Sequence, residues 1–230
     1  MEKGKLSHFM PVSVYSVKLG INKEERDAFC RYIDKSVANS NSDENKADTW
    51  TGDFYGHHQL HNQSDYSKLF SLIGEHLKEY VAELHIDKDT FDYNYVRSWG
   101  TKQSLGNRIE YHRHDSAHFS LVYYPSVPED SGNFFVATEH HQNEIIPGLF
   151  RREYFEQGVV HQGQWHTLPE IEIKAEDDLL MIFPSKTLHR TGKSTSQHSR
   201  YSISSDIICT LKNADGFEVG IPPIETWKKA

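Results

Sequence analysis

The sequence is poor in the features that mark secreted, membrane and nucleic-acid-binding proteins. Its two cysteines, Cys30 and Cys209, are too few for a disulfide framework. No apolar run approaches the roughly 20 residues of a transmembrane helix, and the N-terminus, MEKGKLSHFM, lacks the apolar stretch of a signal peptide. With 25 Lys and Arg against 33 Asp and Glu, the net charge is −8, which argues against nonspecific binding to nucleic-acid phosphates. We therefore expect a cytoplasmic protein without a membrane or nucleic-acid partner.

What the sequence does contain is the composition of one folded domain with many histidines. Its 230 residues suit a single β-rich domain, which often takes about 200–250 residues, and 12% aromatic residues argue against disorder. We divide the domain, 1–230, into a helical N-terminal part (1–90), a core (91–211) with an insertion (139–169), and a C-terminal tail (212–230). The 15 scattered histidines raise the expectation of a metal site, because histidine is the commonest metal ligand.

Two helices are predicted in the N-terminal part. Residues 11–19 first alternate apolar and polar side chains like a strand. Asn22 is a good N-cap and Glu25 follows it at capping-box spacing, so the first helix begins here. Residues 39–49 are polar and rich in turn formers, which indicates an exposed loop. A second helix is predicted over residues 64–84 from an apolar stripe at helical spacing.

Short segments rich in β-forming residues follow Asp87. They are 91–99, 108–114, 118–124, 133–138, 170–174, 179–183 and 200–211. Such strands, separated by turn formers, predict a sandwich or jelly roll. Because the helices precede the strands, we expect an α+β protein, mainly β, with the helices packed on one sheet. Residues 139–169 fit no period and are interpreted as a long insertion of the kind that covers a binding site.

Three histidines are candidate metal ligands. His112 and His114 stand two residues apart in a predicted strand, so both side chains project from one face. His189 follows the apolar strand 179–183 and a turn. Two ligands from one strand end and a third from a distant strand can form a facial metal triad of the kind that non-heme Fe(II) oxygenases use.

An arginine eleven residues after His189 suggests the second half of the site. Arg200 and Ser202 share one face of their strand, where a guanidinium can bind a carboxylate through two hydrogen bonds and a hydroxyl can add another. A metal triad beside a carboxylate-binding arginine and serine suits a dicarboxylate that chelates the metal at its other end. 2-Oxoglutarate fits this description. Tyr124 has two interpretations, a core residue or a hydroxyl in the cosubstrate pocket, and the first is favoured.

From about Ser98 to Ile207, the chain resembles the 2-oxoglutarate/Fe(II)-dependent oxygenase superfamily, and most closely a small branch found in bacteria and tailed phages. The matching pieces are Ser98–Lys102 with Gly106, His112–His114, Ser120–Tyr124, Ser131–Gly132, Ile182–Ser185 with His189, and Arg200–Ser204. The resemblance implies a double-stranded β-helix, which is a jelly-roll variant, with Fe(II) and 2-oxoglutarate as cofactors. It also implies oxidation of a C–H bond with release of succinate and CO2. We expect hydroxylation of a small molecule or a peptide side chain, with O2 as the oxidant.

The first motif departs from the usual superfamily pattern, which is His-x-Asp or His-x-Glu. Here His114 holds the third position and Asp115 follows one residue later, although the branch itself commonly has His-x-His. One possible ligand set is therefore His112, His114 and His189, and the other replaces His114 with Asp115. Strand alternation favours His114, whereas the ligand precedent favours Asp115. We lean to His114.

Further histidines and a pair of arginines lie outside these motifs. The histidines are His57, His58 and His61 before the second helix, and His140, His141, His161 and His166 in the insertion. His57, His58 and His61 could form a separate site, but their spacing matches no metal-binding pattern. For those in the insertion, surface positions or substrate contacts are favoured over metal ligation. Arg151 and Arg152 indicate a solvated face, or an anionic substrate if they line the site.

Two other functions fit parts of the pattern. The spacing of Gly106 and Pro184 to the histidines that follow them also resembles the two cupin motifs, which predict a three-histidine metalloenzyme that is an isomerase or a dioxygenase independent of 2-oxoglutarate. Against this, no Glu stands four or five residues after His114, and the pair Arg200 and Ser202 has no required role in a cupin. The other alternative is a noncatalytic jelly-roll binding protein, because fold alone does not decide function.

Overall fold

In the described part of the chain, two short strands before Asp87 and seven strands after it form two antiparallel sheets. The computed structural model describes residues 12–39, 49–50, 59–138, 143–161, 163–164 and 167–229. Within them the strands are β1 (Tyr15–Lys18), β2 (Thr49–Trp50), β3 (Phe91–Gln103), β4 (Phe119–Ser126), β5 (Phe134–Ala137), β6 (Glu170–Ile173), β7 (Leu179–Pro184), β8 (His189–Thr191) and β9 (Arg200–Leu211). The larger sheet has the order β1-β7-β4-β9-β3-β2 and the smaller sheet the order β6-β5-β8. This is the predicted α+β, mainly β, jelly-roll arrangement.

Two long helices precede the core. They are α1 (Lys23–Asn39) and α2 (Ser67–Glu83). A short helix, α3 (Arg152–Glu156), follows β5. The Asn22 side chain accepts a hydrogen bond from the Glu25 backbone N–H at 2.9 Å, which is the predicted cap of α1. A turn of 3-10 helix over Ser64–Tyr66 leads into α2, so the regular helix begins slightly later than the apolar pattern predicts.

The helices cover the outer face of the larger sheet. Leu121 on β4 and Ile203 on β9 belong to the same apolar cluster as Ile33 of α1 and Ile73 of α2. All four side chains are at most 1% exposed. Removal of this apolar surface from water is the main favourable contribution to folding, and it fixes which face of the sheet is left for a site.

The inner face of the larger sheet lies against the smaller sheet. Phe134 of β5 and Phe183 of β7 form part of a second apolar cluster between the sheets. Because side chains alternate along a strand, Arg200 and Asp206 project from β9 on the side opposite Ile203, toward this interior. The space between the sheets therefore combines apolar packing with a row of polar side chains.

The predicted strand 108–114 is not a strand in the structure. It meets β8 through one isolated bridge, in which the backbone N–H of His112 donates to the His189 oxygen at 2.9 Å and the His189 N–H donates to the His112 oxygen at 3.0 Å. The Thr191 N–H donates to the Ile109 oxygen at 3.0 Å. Between these two contacts the predicted strand advances three residues, from His112 to Ile109, whereas β8 advances only two, from His189 to Thr191. A regular ladder cannot continue across this mismatch.

The predicted insertion, 139–169, is described in part. Its residues 143–161 contain α3, and the chain re-enters the smaller sheet at β6. The loop predicted over 39–49 lies almost wholly outside the described residues. Within the described part of the chain, no helix combines the length and the apolar character needed to cross a membrane.

Candidate metal centre

Three histidine side chains meet where the segment before β4 passes the start of β8. They are His112, His114 and His189, and one ring nitrogen of each lies within 4.8 Å of those of the other two. The ring centroids are 4.2 Å apart for His112 and His189, 5.2 Å for His112 and His114, and 5.3 Å for His114 and His189. Metal–nitrogen bonds are about 2.0–2.1 Å long, so one ion can bridge nitrogens at about this separation with small side-chain adjustments.

Each imidazole is oriented by a hydrogen bond on its Nδ1 side. In His112 and in His189, Nδ1 donates to the backbone oxygen two residues earlier, at 2.8 Å in both cases. Nδ1 of His114 lies 2.5 Å from Oδ1 of Asp206. A donating Nδ1–H leaves the lone pair of Nε2 free, and this is the arrangement that metal-binding histidines adopt.

Burial holds two of these imidazoles in the neutral form. His189 is 5% exposed, and burial, helped by the neighbouring His112, lowers its pKa to about 3. Burial also lowers the pKa of His112. Only an unprotonated nitrogen can bind a metal ion, so protons compete weakly for these two ligand positions at neutral pH.

Asp206 adds a carboxylate directly behind His114. It is 4% exposed on the inner face of β9, and its Oδ1 also accepts a hydrogen bond from the Ser120 hydroxyl at 3.0 Å. Asp206 was not among the residues predicted from the sequence. The signal was present, however, because Asp206 continues the same alternating face of β9 that holds Arg200 and Ser202.

Asp115, the alternative to His114, is exposed in the turn that follows the two histidines. Within the described residues, the close group of potential ligands consists of three histidines and does not include Asp115. The geometry therefore favours the ligand set that strand alternation favours.

Arg200 lies at the start of β9 with 1% of its surface exposed. Nη1 donates to the Gly132 backbone oxygen at 2.5 Å and Nη2 donates to Oε1 of Gln103 at 2.6 Å. The guanidinium carbon lies 5.3 Å from the centre of the Tyr124 ring, and the buried Nε has no hydrogen-bond partner in the described part of the chain. These contacts are all neutral, and burial lowers the pKa of the guanidinium. An anion beside it would offset the cost of burying this charge.

Gln103 anchors Arg200. Gln103 was not among the residues predicted from the sequence. It opposes Arg200 in the register of β3 and β9 and is 2% exposed. Its Oε1 also accepts from the Thr191 hydroxyl at 2.9 Å, while its Nε2 donates to the backbone oxygens of Gly192 at 2.9 Å and Ser131 at 3.2 Å. The amide is thus fully hydrogen-bonded, which fixes its position beside the guanidinium.

The two other predicted cosubstrate residues flank Arg200. Ser202 is 5% exposed and follows it on the same face of β9. Tyr124 is 1% exposed and belongs to the apolar cluster between the sheets, as its interpretation as a core residue predicts. Its ring nevertheless packs near the guanidinium, so Tyr124 also shapes this pocket.

A cavity of about 580 Å³ opens onto His112 and His114. Trp99 and Tyr111 contribute aromatic walls. The Trp99 ring stacks on His114 with a centroid separation of 5.7 Å and an interplanar angle of 28°, and the Arg97 guanidinium carbon lies 5.1 Å from the Trp99 ring. Ligand pockets have volumes of about 300–1,000 Å³, so this space suits a small molecule or one residue of a peptide.

None of the other predicted histidines that the structure describes belongs to this close group. His61 places Nδ1 2.7 Å from the hydroxyl of Ser98. His161, Arg151 and Arg152 are exposed. The remaining ones, His57, His58, His140, His141 and His166, lie outside the described residues.

Comparison with known families agrees with this geometry. A family model described as "Putative 2OG-Fe(II) oxygenase" matches residues 97–206, the segment that carries the three histidines, Arg200 and Asp206. Over this segment, just under half of the chain, the protein is similar to the 2-oxoglutarate/Fe(II)-dependent oxygenases. The chain matches no curated protein sequence.

Solved structures of other proteins share the fold. The non-heme alpha ketoglutarate dependent epimerase SnoN from nogalamycin biosynthesis has a TM-score of 0.55 and 10% identity over 87% of this chain and 81% of its own. A Pseudomonas putida prolyl-4-hydroxylase has a TM-score of 0.51 and 11% identity over 86% of this chain and 88% of its own. HygX from Streptomyces hygroscopicus, with nickel, 2-oxoglutarate and hygromycin B bound, has a TM-score of 0.51 and 12% identity over 85% of this chain and 82% of its own. At 10–12% identity, the likeness to these three structures concerns the fold alone.

Proposed function

We propose that this protein is an Fe(II)- and 2-oxoglutarate-dependent oxygenase in which His112, His114 and His189 hold the iron. The observation that carries the proposal is the convergence of three ring nitrogens whose Nδ1 partners leave Nε2 available. With Fe(II) bound, the expected chemistry is hydroxylation of a C–H bond, in which one oxygen atom of O2 enters the product and the other enters succinate as 2-oxoglutarate loses CO2. The protein contributes ligand geometry and a site shielded from bulk water.

Arg200 is the proposed binding group for the carboxylate of 2-oxoglutarate that is remote from the metal. Its buried Nε lacks a hydrogen-bond partner among the described residues, and its contacts with Gly132, Gln103 and Tyr124 leave its charge unbalanced. A carboxylate would supply both an acceptor and a negative charge. Ser202 follows on the same face of β9 and is proposed to add its hydroxyl.

The cavity in front of His112 and His114 is the proposed substrate entrance. Its volume of about 580 Å³ and the aromatic walls of Trp99 and Tyr111 suit a small molecule or a peptide side chain. Among the described residues, its lining includes Asp206 of β9 and does not include Arg200. A single-domain oxygenase acting in the cytoplasm remains our expectation.

An anaerobic titration tests this function. Wild-type protein with Fe(II) is titrated with 2-oxoglutarate while the visible absorption is recorded, and we expect a metal-to-ligand charge-transfer band, which requires bidentate chelation of the iron. Metal binding without the band or any other sign of 2-oxoglutarate binding would favour the cupin-type three-histidine enzyme. Protein that binds neither metal nor 2-oxoglutarate would leave a noncatalytic jelly-roll binding protein.

Gln103→Glu is expected to weaken 2-oxoglutarate binding by at least about tenfold, because removal or neutralisation of one partner of a buried charged hydrogen bond costs about 2–5 kcal/mol. The new carboxylate would lie beside Nη2 of Arg200 and compete with the cosubstrate for its charge. The dissociation constant for 2-oxoglutarate is measured by calorimetry on protein loaded with Ni(II). Gln103→Met, which removes the acceptor without adding charge, is the matched control and should have the smaller effect. Equal affinity in Gln103→Glu and wild type would contradict the role of Arg200.

A further inference from the structure

The three histidines of the metal centre differ in the group that accepts their Nδ1–H. His112 and His189 donate to neutral backbone oxygens at 2.8 Å. His114 alone faces a carboxylate, that of Asp206, at 2.5 Å. His114 also occupies the position at which the sequence lacks the carboxylate of the usual motif. His114, which stands where the usual motif has a carboxylate ligand, is therefore the histidine that is hydrogen-bonded to a carboxylate.

We propose that Asp206 is a positioning residue that supplies the negative charge of the metal centre through His114. The inference rests on the proposed function, because it needs a metal ion at the three histidines. Two histidines and a carboxylate give a divalent ion one negative charge, whereas three neutral imidazoles give it none. Asp206 restores that charge one hydrogen bond further from the ion. A carboxylate in this position raises the basicity of the imidazole and fixes its tautomer.

The surroundings of Asp206 hold its carboxylate in place. Oδ1 accepts hydrogen bonds from both His114 and the Ser120 hydroxyl, and the residue is 4% exposed. The Trp99 ring also stacks on the His114 ring, with the two centroids 5.7 Å apart. The ring is thus restrained by a hydrogen bond at Nδ1 and by an aromatic face, which leaves Nε2 as its free nitrogen.

A purely structural role for Asp206 makes the opposite prediction for metal binding. In that case the hydrogen bond between Asp206 and His114 would only brace β9 against the segment before β4. Removing the carboxylate would then lower stability and leave metal affinity unchanged.

The test is the affinity of the apo protein for Co(II) and Ni(II), measured by competition with a chromophoric chelator, in wild type and Asp206→Asn. The substitution keeps the shape of the side chain and removes its charge. We expect Asp206→Asn to bind both ions about 10–100-fold more weakly, the usual effect of losing a carboxylate behind a metal-binding histidine. The Co(II) absorption spectrum should also shift, which a change in stability alone would not produce. Unchanged affinity and spectrum would overturn the inference.

Two further variants separate charge from stability. Asp178→Asn removes a carboxylate that accepts a hydrogen bond from the Tyr123 hydroxyl at 2.9 Å on the outer face of the sheet, and it should lower the melting temperature without changing metal affinity. Asp206→Glu keeps the charge and is expected to bind Co(II) more tightly than Asp206→Asn. If Asp206→Asn does not fold, the Glu variant decides, since an affinity close to wild type supports the role of charge and a large loss overturns it. Wild-type protein that binds neither ion would instead refute the proposed metal centre itself.

Discussion

His189→Ala is expected to yield a folded protein that no longer retains a metal ion. His189 supplies one of the three converging nitrogens, and within the described residues the group contains no fourth side chain to replace it. Changes to residues that only support a ligand already cost about 10–100-fold in metal affinity, so loss of a ligand should cost at least about 100-fold. The check is the metal content of protein reconstituted with Fe(II) without oxygen and then desalted, with the Ni(II) dissociation constant as a second readout.

The control for this experiment must separate metal loss from misfolding. His189 packs against Phe134 and Phe183 with ring centroids 5.3 and 4.9 Å away, so its removal also leaves a cavity in the core. His189→Gln fills more of that space and should show the same metal loss with a smaller fall in melting temperature. His76→Ala removes a histidine of α2 that lies 3.0 Å from the Tyr15 hydroxyl, outside the centre, and should retain metal. A folded His189→Ala protein with full metal content would refute the ligand assignment.

Alternation along extended backbone was enough to predict several features of this site. His112 and His114 point to one place even though their segment is not a strand, because an extended chain alternates its side chains with or without a ladder. The predicted strand 200–211 has the bounds of β9, and its apolar alternation shows which face packs against the helices. Local pattern therefore predicts which way a side chain points on its own strand.

Pairing between strands could not be predicted in the same way. Gln103 stands at the end of β3, and only the register of β3 against β9 places it opposite Arg200. The sequence also does not reveal that the Gly132 backbone oxygen turns toward the guanidinium, since this depends on a loop between β4 and β5 with a positive φ of 88° at Gly132. Such contacts depend on register and loop conformation, which no single segment of sequence encodes.

Arg200 illustrates how burial changes a prediction that sequence supports. The sequence suggests a guanidinium free to bind a carboxylate with its two outer nitrogens, but in the structure those nitrogens already donate to Gly132 and Gln103. The group is 1% exposed, so these bonds hold it rigidly and avoid two unpaired buried donors. A cosubstrate carboxylate would then meet a guanidinium that is already oriented, which lowers the entropy cost of binding.

Arg200→Met is expected to weaken 2-oxoglutarate binding by at least about 30-fold, because losing one partner of a buried hydrogen-bonded charge pair costs about 2–5 kcal/mol and about 1.4 kcal/mol corresponds to tenfold. Methionine has a similar length and no charge, so it limits the cavity that alanine would leave beside Tyr124. Calorimetry on Ni(II)-loaded protein gives the dissociation constant, and the apparent KM for 2-oxoglutarate gives an independent measure. The affinity for Ni(II) alone should stay close to wild type, since Arg200 is not among the three converging histidines.

Arg200→Lys separates charge from hydrogen-bond geometry. Lysine keeps a positive charge but cannot donate in the planar, forked arrangement that reaches both Gly132 and Gln103. We expect its affinity for 2-oxoglutarate to lie between those of wild type and Arg200→Met. A folded Arg200→Met protein that binds 2-oxoglutarate as tightly as wild type would show that the cosubstrate carboxylate binds elsewhere. If Arg200→Met instead lowers the affinity for Ni(II) as well as for 2-oxoglutarate, Arg200 supports the metal centre rather than binding the carboxylate.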